Sequence, residues 1–392
     1  MRILLVTPFY PPDIGGIAYH VFNIAKILSK KHKVIVVKND SVSNVSSGNG
    51  IKIVKILSKT PPPLPFQTLS SFRIPILVDG LKEIIKQADV VHVHGHHYPI
   101  TWLSLFYAKK FDKPTVLTLH GMYALNPQVA EGKTFLEETF NKTIFKLILN
   151  RTDSVIGLSK TIVNYAKKYG SKRSKYYVIP NGVDLDLYNG SLHKKMDYRL
   201  KYGLPVDNVV ILFRGRFNYV KGVMEAAYAA RYVTKHWSNV FFIFVGDGPL
   251  KNLIKKILNG LKNVKIYDWA STAAIHELYI ASDIYLIPSK WEALPITLIE
   301  AMAARLYIIS TKVGGIPDVL EGYPRKVFIA SFDPKAIVEA LEKALNKTCA
   351  TNVTIDLRRC LKQFNWRSIV HTIENVYNET ILRLSKVVSK SE

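Results

Sequence analysis

Two glutamates eight positions apart, Glu292 and Glu300, lie in the run Trp-Glu-Ala-Leu-Pro-Ile-Thr-Leu-Ile-Glu-Ala-Met-Ala over 291–303. The apolar residues 284–287 ahead of them read as a strand that Pro288-Ser289 brings to an end. After a short loop the spacing turns helical, with Pro295 near the first position, where its missing N–H would be unpaired anyway. The first turn, Pro295, Ile296 and Thr297, then offers amides and a positive dipole end to an anion. Glu292 falls in the loop before that helix, and Glu300 more than a turn inside it. So placed, the two carboxylates can address different parts of one extended ligand. The spacing alone fits equally well a helix with one capping and one solvent-facing glutamate.

Other residues could serve the same chemistry. Gly15-Gly16 stands between a first strand and a helix, where missing side chains let backbone amides approach a pyrophosphate. The full G-x-G-x-x-G dinucleotide fingerprint is not there. Arg216 and Lys221 flank a later strand-to-helix turn, and cations suit a place where charge develops on a departing diphosphate. In a chain with 54 Lys and Arg, two such residues alone decide little. His120-Gly121 follows a strand end, a usual position for site residues in α/β folds. His92-x-His94-x-His96-His97 is dense enough for a metal, but no Asp, Glu or Cys completes a ligand set by spacing. It reads better as a strand end and a loop lining a cleft. Asp184-x-Asp186 belongs to an Asn-Gly-Val-Asp turn and not to a metal motif.

The Glu292-x7-Glu300 pair followed by Ala-Met-Ala resembles the signature of the retaining family 4 glycosyltransferases, which have the two-domain GT-B fold. Further matches keep the family's order over nearly the whole chain. They are Gly15-Gly16, His120-Gly121, Pro180-Asn181-Gly182-Val183-Asp184, Gly215-Arg216 with Lys221-Gly222, Gly246-Asp247-Gly248-Pro249 and Gly314-Gly315-Ile316-Pro317-Asp318. The resemblance implies a nucleotide-sugar donor whose diphosphate meets Gly15, Gly16, Arg216, Lys221 and the helix start at Pro295, Ile296 and Thr297. It implies that Glu300 accepts from the ribose hydroxyls and that Glu292 faces the transferred sugar. By the same token His120 contacts that sugar through its backbone or ring, and His94, His96 and Asn181 belong to the acceptor region. Family members are assigned a front-face route in which the leaving phosphate oxygen takes the acceptor proton. Basic residues and a helix dipole replace a metal, so no metal and no cofactor are expected. Ala293-Leu294-Pro295 departs from a frequent Gly-Phe-Gly, Asp318 from a frequent Glu, and Asp268-Trp269 from a usual Gly, which leaves the nucleobase open.

These residues need elements to hold them. Short apolar runs at 3–6, 33–37, 90–94, 115–119 and 154–157 alternate with amphipathic stretches such as 18–29 and 77–87. Strands apolar throughout, alternating with helices, predict parallel sheets covered on both faces. The pattern restarts at 209–213, 240–245, 264–266, 284–287 and 307–310. The expected fold class is therefore α/β, with two doubly wound Rossmann-like domains facing a central cleft. The polar, basic passage 189–201 reads as the linker. This gives an acceptor-binding domain over 1–195, a donor-binding domain over 196–370 and a closing helix over 371–392 that crosses back to the first domain. Stretches 40–50, rich in Ser, Asn and Gly, and 59–75, with five prolines, read as loops.

Of 392 residues, 48% are apolar and 21% charged, which suits two ordinary cores and excludes a disordered chain. No run reaches the roughly 18 apolar residues of a membrane span. The opening residues 1–7 end at Pro8 and read as a strand, not a signal peptide, so a cytoplasmic enzyme is expected. Cys349 and Cys360 form no ligand or disulfide pattern. The net charge of +24 leans to the first half, with 28 Lys and Arg against 13 Asp and Glu over 1–199. Anionic lipid, nucleic acid and a general surface bias each account for such an excess. No nucleic-acid-binding motif accompanies it, so the expected partners are a nucleotide-sugar donor and a glycan or lipid-linked acceptor at the cytoplasmic membrane face. Apolar residues among basic ones, Leu64-Pro65-Phe66 and Phe72-Arg73-Ile74, could dip into headgroups. An epimerase or a glycosyl phosphorylase of the same architecture is the alternative, and a nucleic-acid-binding protein a remote one.

Overall fold

The computed structural model describes residues 1–13, 15–48, 50–60, 73–76, 79–121, 138–171, 173–268, 271–348 and 357–388. The chain forms two compact units, Met1–Asn181 with Trp366–Glu392, and Gly182–Asn365.

The first unit is built on β1 (Arg2–Thr7), β2 (Lys33–Asp40), β3 (Asn44–Gly48), β4 (Ile51–Lys59), β5 (Ile74–Pro75), β6 (Val90–His94), β7 (Thr115–Leu119), β8 (Ser154–Gly157) and β9 (Lys175–Val178). Their order is β3-β4-β2-β1-β6-β7-β8-β9, with β5 on β4. All pairs are parallel except β3 with β4 and β4 with β5. Strands β6, β7 and β8 are buried along their whole length, which is why they are mostly apolar and carry no charged residue, only Ser, Thr and the histidines His92 and His94 between the apolar positions. Helix Gly16–Leu28 follows β1 and buries Val21, Ile24, Ala25 and Leu28 at helical spacing. Against the same core, helix Trp366–Val388 buries Trp366, Ile369, Val370, Ile373, Val376 and Tyr377. At roughly 1.5–3 kcal/mol for each large apolar side chain removed from water, this stripe is what fastens the C-terminal helix.

The second unit carries β10 (Val209–Arg214), β11 (Val240–Val245), β12 (Val264–Tyr267), β13 (Ile284–Ile287), β14 (Tyr307–Ser310) and β15 (Lys326–Phe328). Their order is β12-β11-β10-β13-β14-β15, parallel throughout. The order reverses between β10 and β13, and in the first unit between β1 and β6. Ligands of such sheets bind at this switch point, outside the carboxyl ends of the strands.

Three expectations are corrected. The stretch 40–50 contains β3, paired antiparallel with Val45 opposite Val54, rather than a loop. All five side chains of β3 are exposed, so no apolar alternation marked it. The passage 189–201 is not a linker but folds within the second unit, as Leu192–Lys194 and Lys195–Lys201. Its Arg199 is buried, donating to the carbonyls of Ala281, Val206 and Asn208 and pairing with Asp283. The units therefore part after Asn181 and not after 195, and the chain rejoins the first unit at Trp366 and not at 371. Most of 59–75, including Leu64, Pro65, Phe66 and Phe72, lies outside the described residues, as do Trp269 and Cys349.

Candidate functional site

In the second unit, the loops that follow β10, β13 and β14 converge. Pro295 caps helix Ile296–Ala303 from just outside it, φ −72° and ψ 122°, instead of occupying its first helical position. No side chain caps the first-turn amides of this helix, so they keep their capacity for an anion. Ile296 and Thr297 are half-buried there, while Glu292 and Glu300 are buried.

Both carboxylates are engaged. Glu292 Oε1 receives Lys221 Nζ at 2.6 Å and Ser289 Oγ at 2.8 Å. Glu300 pairs with Arg214, the last residue of β10, whose guanidinium also donates to Tyr279 Oη at 3.2 Å. Burial alone would lower the Arg214 pKa, but the Glu300 carboxylate more than offsets this and raises it, so the guanidinium stays charged. Arg216, by contrast, is exposed and has no ion-pair partner among the described residues. Lys221 is half-buried, its amide held by the Asn218 side chain at 3.1 Å. The loop after β14 rides directly on Glu292. A Cβ on Gly314, at φ +54°, would fall 1.5 Å from the Glu292 carbonyl oxygen, and Gly315 N–H donates to Ala293 O at 2.9 Å. Only glycine permits that approach. Beside it a pocket of about 390 Å³ is lined by Thr311, Lys312, Val313 and residues 328–332.

In the first unit the site residues are uncharged. Gly15 precedes helix Gly16–Leu28 without a side-chain cap, and a Cβ there would meet nothing within 4 Å. The open space suits a ligand's approach and is not demanded by packing. His94 ends β6 and His120 follows β7. His94 Nδ1 and His120 Nε2 lie 3.1 Å apart. His20 packs edge-on against His120, ring centroids 4.7 Å apart, and its Nδ1 meets Asn181 Oδ1 at 2.9 Å. Beneath them His92 bonds Tyr377 Oη at 2.6 Å and Thr118 Oγ1 at 2.7 Å. Burial lowers the pKa of His20 to about 4 against the opposing bond to Asn181, and burial with the neighbouring rings lowers that of His92 to about 3 and sends His94, His96 and His120 well below their ordinary value. His96 is buried among aromatic rings, 4.6 Å from Phe145, with neither ring nitrogen partnered.

The structure thus brings Glu292, Glu300, Lys221 and the helix start together in one unit, and His94, His120 and Asn181 in the other. His94 and Asn181 are buried behind His120, which alone of this group is partly exposed. Sequence reasoning missed Arg214 and His20. Arg214 directly precedes the Gly215-Arg216 pair that drew attention, and His20 reads as an ordinary helix position. It also missed that His20, not the 92–97 cluster alone, completes a trio with His94 and His120 whose ring nitrogens fall within 4.8 Å of one another. Asp184 caps helix Leu185–Asn189 through Leu187 N–H, as its turn suggested.

Comparisons with known proteins place the chain among glycosyltransferases. The model of glycosyl transferases group 1 matches residues 194–363, and that of glycosyltransferase family 4 matches 14–187. The chain is similar to a phosphatidylinositol N-acetylglucosaminyltransferase subunit of Arabidopsis thaliana, 25% identical over 97% of this chain and 82% of the relative. The Homo sapiens protein of the same name is 22% identical over 98% and 78%. Among solved structures, a sucrose-phosphate synthase from Thermosynechococcus elongatus superposes with TM-score 0.79 at 19% identity, covering 97% of this chain and 99% of that one. Anabaena HepE in complex with UDP superposes with TM-score 0.73 at 18% identity, covering 97% and 100%. These likenesses establish the GT-B fold.

Proposed function

This chain belongs to the family 4 glycosyltransferases of group 1 type, and we propose that it moves a hexose with retention from a UDP- or GDP-sugar to a lipid-linked or glycan acceptor. That it is a hexosyltransferase follows from the family. The observation that carries the finer reading is the uncapped start of helix Ile296–Ala303, flanked by Glu292 with Lys221 and by Glu300 with Arg214.

A nucleoside diphosphate satisfies each part of this arrangement. Its phosphates accept from the helix amides, and Arg216 and Lys221 neutralise the charge that grows as the bond to the sugar breaks. Glu300 accepts from ribose hydroxyls, with Arg214 keeping it oriented. The acceptor oxygen bonds to the anomeric carbon on the face from which the diphosphate departs, and its proton passes to the leaving phosphate oxygen. No enzyme base is needed, and Glu292 is left to hydrogen-bond the sugar. Two cations and a helix dipole supply what a divalent ion would, so the reaction is metal-independent on this reading. A UDP donor is favoured by the neighbour solved with UDP, and a lipid acceptor by relatives named for phosphatidylinositol. No helix among the described residues is long and apolar enough to cross a membrane, and the charge of +24 fits peripheral binding to anionic lipid.

A thermal-shift screen of UDP, GDP, ADP and their sugar conjugates, with and without EDTA, tests the donor side. Stabilisation by one diphosphate, unchanged by EDTA and lost in Glu300→Ala, is the expected result. Stabilisation by none, or only with added metal, overturns it.

A further inference from the structure

We propose that His94 is a positioning residue that fixes the tautomer of His120, so that His120 meets its ligand as a neutral hydrogen-bond donor through Nδ1–H and cannot act there as a base. This rests on the family reading only in naming the ligand as a sugar hydroxyl.

One bond in the cluster has an amide oxygen as its acceptor. Asn181 Oδ1 can only accept, so His20 Nδ1 carries the proton in their 2.9 Å contact. A neutral His20 then has a bare Nε2, and that atom is buried without a partner. The ring has therefore kept its proton where a partner exists and left its lone pair as the orphan. This is the general preference of buried groups, because an orphaned N–H is rarer and costlier than an unused acceptor.

His94 poses the same choice. Its Nε2 is buried with no partner, and its Nδ1 faces His120 Nε2 at 3.1 Å. A proton on Nε2 would be an orphaned N–H in the core. On Nδ1 it makes a hydrogen bond. His94 therefore donates from Nδ1, and His120 Nε2 accepts. Since one nitrogen of His120 is accepting, the other, Nδ1, bears its proton. Nδ1 has no hydrogen-bond partner among the described residues, and His120 is the one partly exposed residue of the group. That N–H is consequently available to an oxygen of a ligand.

The surroundings leave this arrangement little freedom. His92 lies under His94, ring centroids 4.1 Å apart, and both its nitrogens are already bonded, to Tyr377 and Thr118. It cannot exchange protons with His94 without breaking one of those bonds. His20 stands against the side of His120 at an interplanar angle of 85°, and Trp366 backs His20 at 5.5 Å. Burial and the adjacent rings hold His94 and His120 well below the ordinary imidazole value, so both are neutral at physiological pH. In free imidazole the two tautomers exchange readily. Here the column of rings selects one and presents its donor outward.

The consequence for the reaction is specific. A donor aimed at a sugar hydroxyl orients the sugar without bringing a charge into the site, and it takes no proton from the acceptor. That agrees with a route in which the leaving phosphate oxygen is the base.

Histidine-selective 15N labelling of the full-length protein reads the tautomer directly, in the absence of any substrate. The expected result is a protonated Nδ1 and a bare Nε2 for His120. His94→Leu should remove that preference, so that His120 shows an altered or mixed tautomer. His94→Asn, whose amide nitrogen takes the place of Nδ1, should restore it, whereas His94→Gln, with its amide one bond further out, should not. A protonated Nε2 in the wild-type His120, or an unchanged His120 signal in His94→Leu, overturns the inference. If His94→Leu does not fold, the wild-type spectrum and the Asn and Gln variants still decide. Because no donor is added, a wrong donor assignment leaves this result standing, and a wrong tautomer leaves the donor reading standing.

Discussion

In the first unit the end of β6 and the loop after β7 bring His94 and His120 together as uncharged rings, whereas in the second the loops after β10 and β13 set Lys221 on Glu292, and the end of β10 sets Arg214 on Glu300, as ion pairs. The scaffolds are alike, each a parallel sheet with a reversal of strand order. The difference lies in what the strand ends display. Neutral imidazoles can read hydroxyl groups without taking a charge out of water, and the first unit stacks four of them in its core. Ion pairs hold cations near the place where a diphosphate would need them, at the cost of burying their partners. The fold therefore sets where a ligand binds, and the residues at a few strand ends set which kind.

The largest test of this contrast is to leave one charge alone. Arg214→Ala leaves the Glu300 carboxylate, about 10% exposed, without its counter-ion. Removing one member of a buried pair typically costs about 3 kcal/mol or more, so the urea midpoint should fall accordingly. Arg214→Lys should recover part of the loss. A change below about 1 kcal/mol would mean that solvent already screens the pair, and the charged character of the second unit would be overstated.

Much of this contrast was legible in the residues, and the reasons for the rest are physical. Strands β6, β7, β10, β11 and β13 announced themselves because burial on both faces leaves them mostly apolar, with no charged residue inside the run. Glu292 and Glu300 were legible because proline and helical spacing fix where the chain turns. Arg214 was not, since a half-buried arginine at a strand end looks like a surface one until its carboxylate partner is found 86 residues away. His20 and Asn181 were equally hidden as a pair, being 161 residues apart and joined only by the fold. The helical turns over 192–201 were mistaken for part of a linker because their charged face is what composition registers, while their one buried cation, Arg199, is silent in sequence.

A second test, smaller for each group, uses pH. Unfolded imidazoles take up protons near 6.5, whereas His20 resists until about 4 and His92 until about 3. Between those values the unfolded state binds more protons, so stability falls as pH drops. The loss is roughly 1.4 kcal/mol per pH unit for each such ring, fully absent above about 6.5 and complete for His20 near 4. In the second unit His276 is shifted the same way, while Glu277, held low by hydrogen bonds from Lys201 and Tyr202, loses its contribution only as pH falls below its ordinary value of 4.5. Hydrogen exchange at pH 6.5 and pH 5, corrected for intrinsic rates, should show β6 and β7 opening more easily at the lower pH than β11 and β13. Equal changes in both units would break the comparison.

The smallest effect should be the one in which the two units do not differ. Ser159 caps helix Lys160–Tyr169 in the first unit by accepting from Ile162 N–H at 3.4 Å. Ser271 caps helix Thr272–Ala281 in the second by accepting from Ala274 N–H at 3.2 Å. Each serine satisfies one of the orphan amides at a helix start, and replacing such a cap with alanine costs about 1 kcal/mol. Neither cap involves the residues that make one unit neutral and the other charged. Ser159→Ala and Ser271→Ala should therefore lower stability by similar amounts, read as urea midpoints at pH 7, and neither should alter nucleotide-induced stabilisation. If the Ser271 variant alone weakened nucleotide binding, the donor site would extend to that helix, and the division between scaffold and strand-end chemistry would have to be redrawn there.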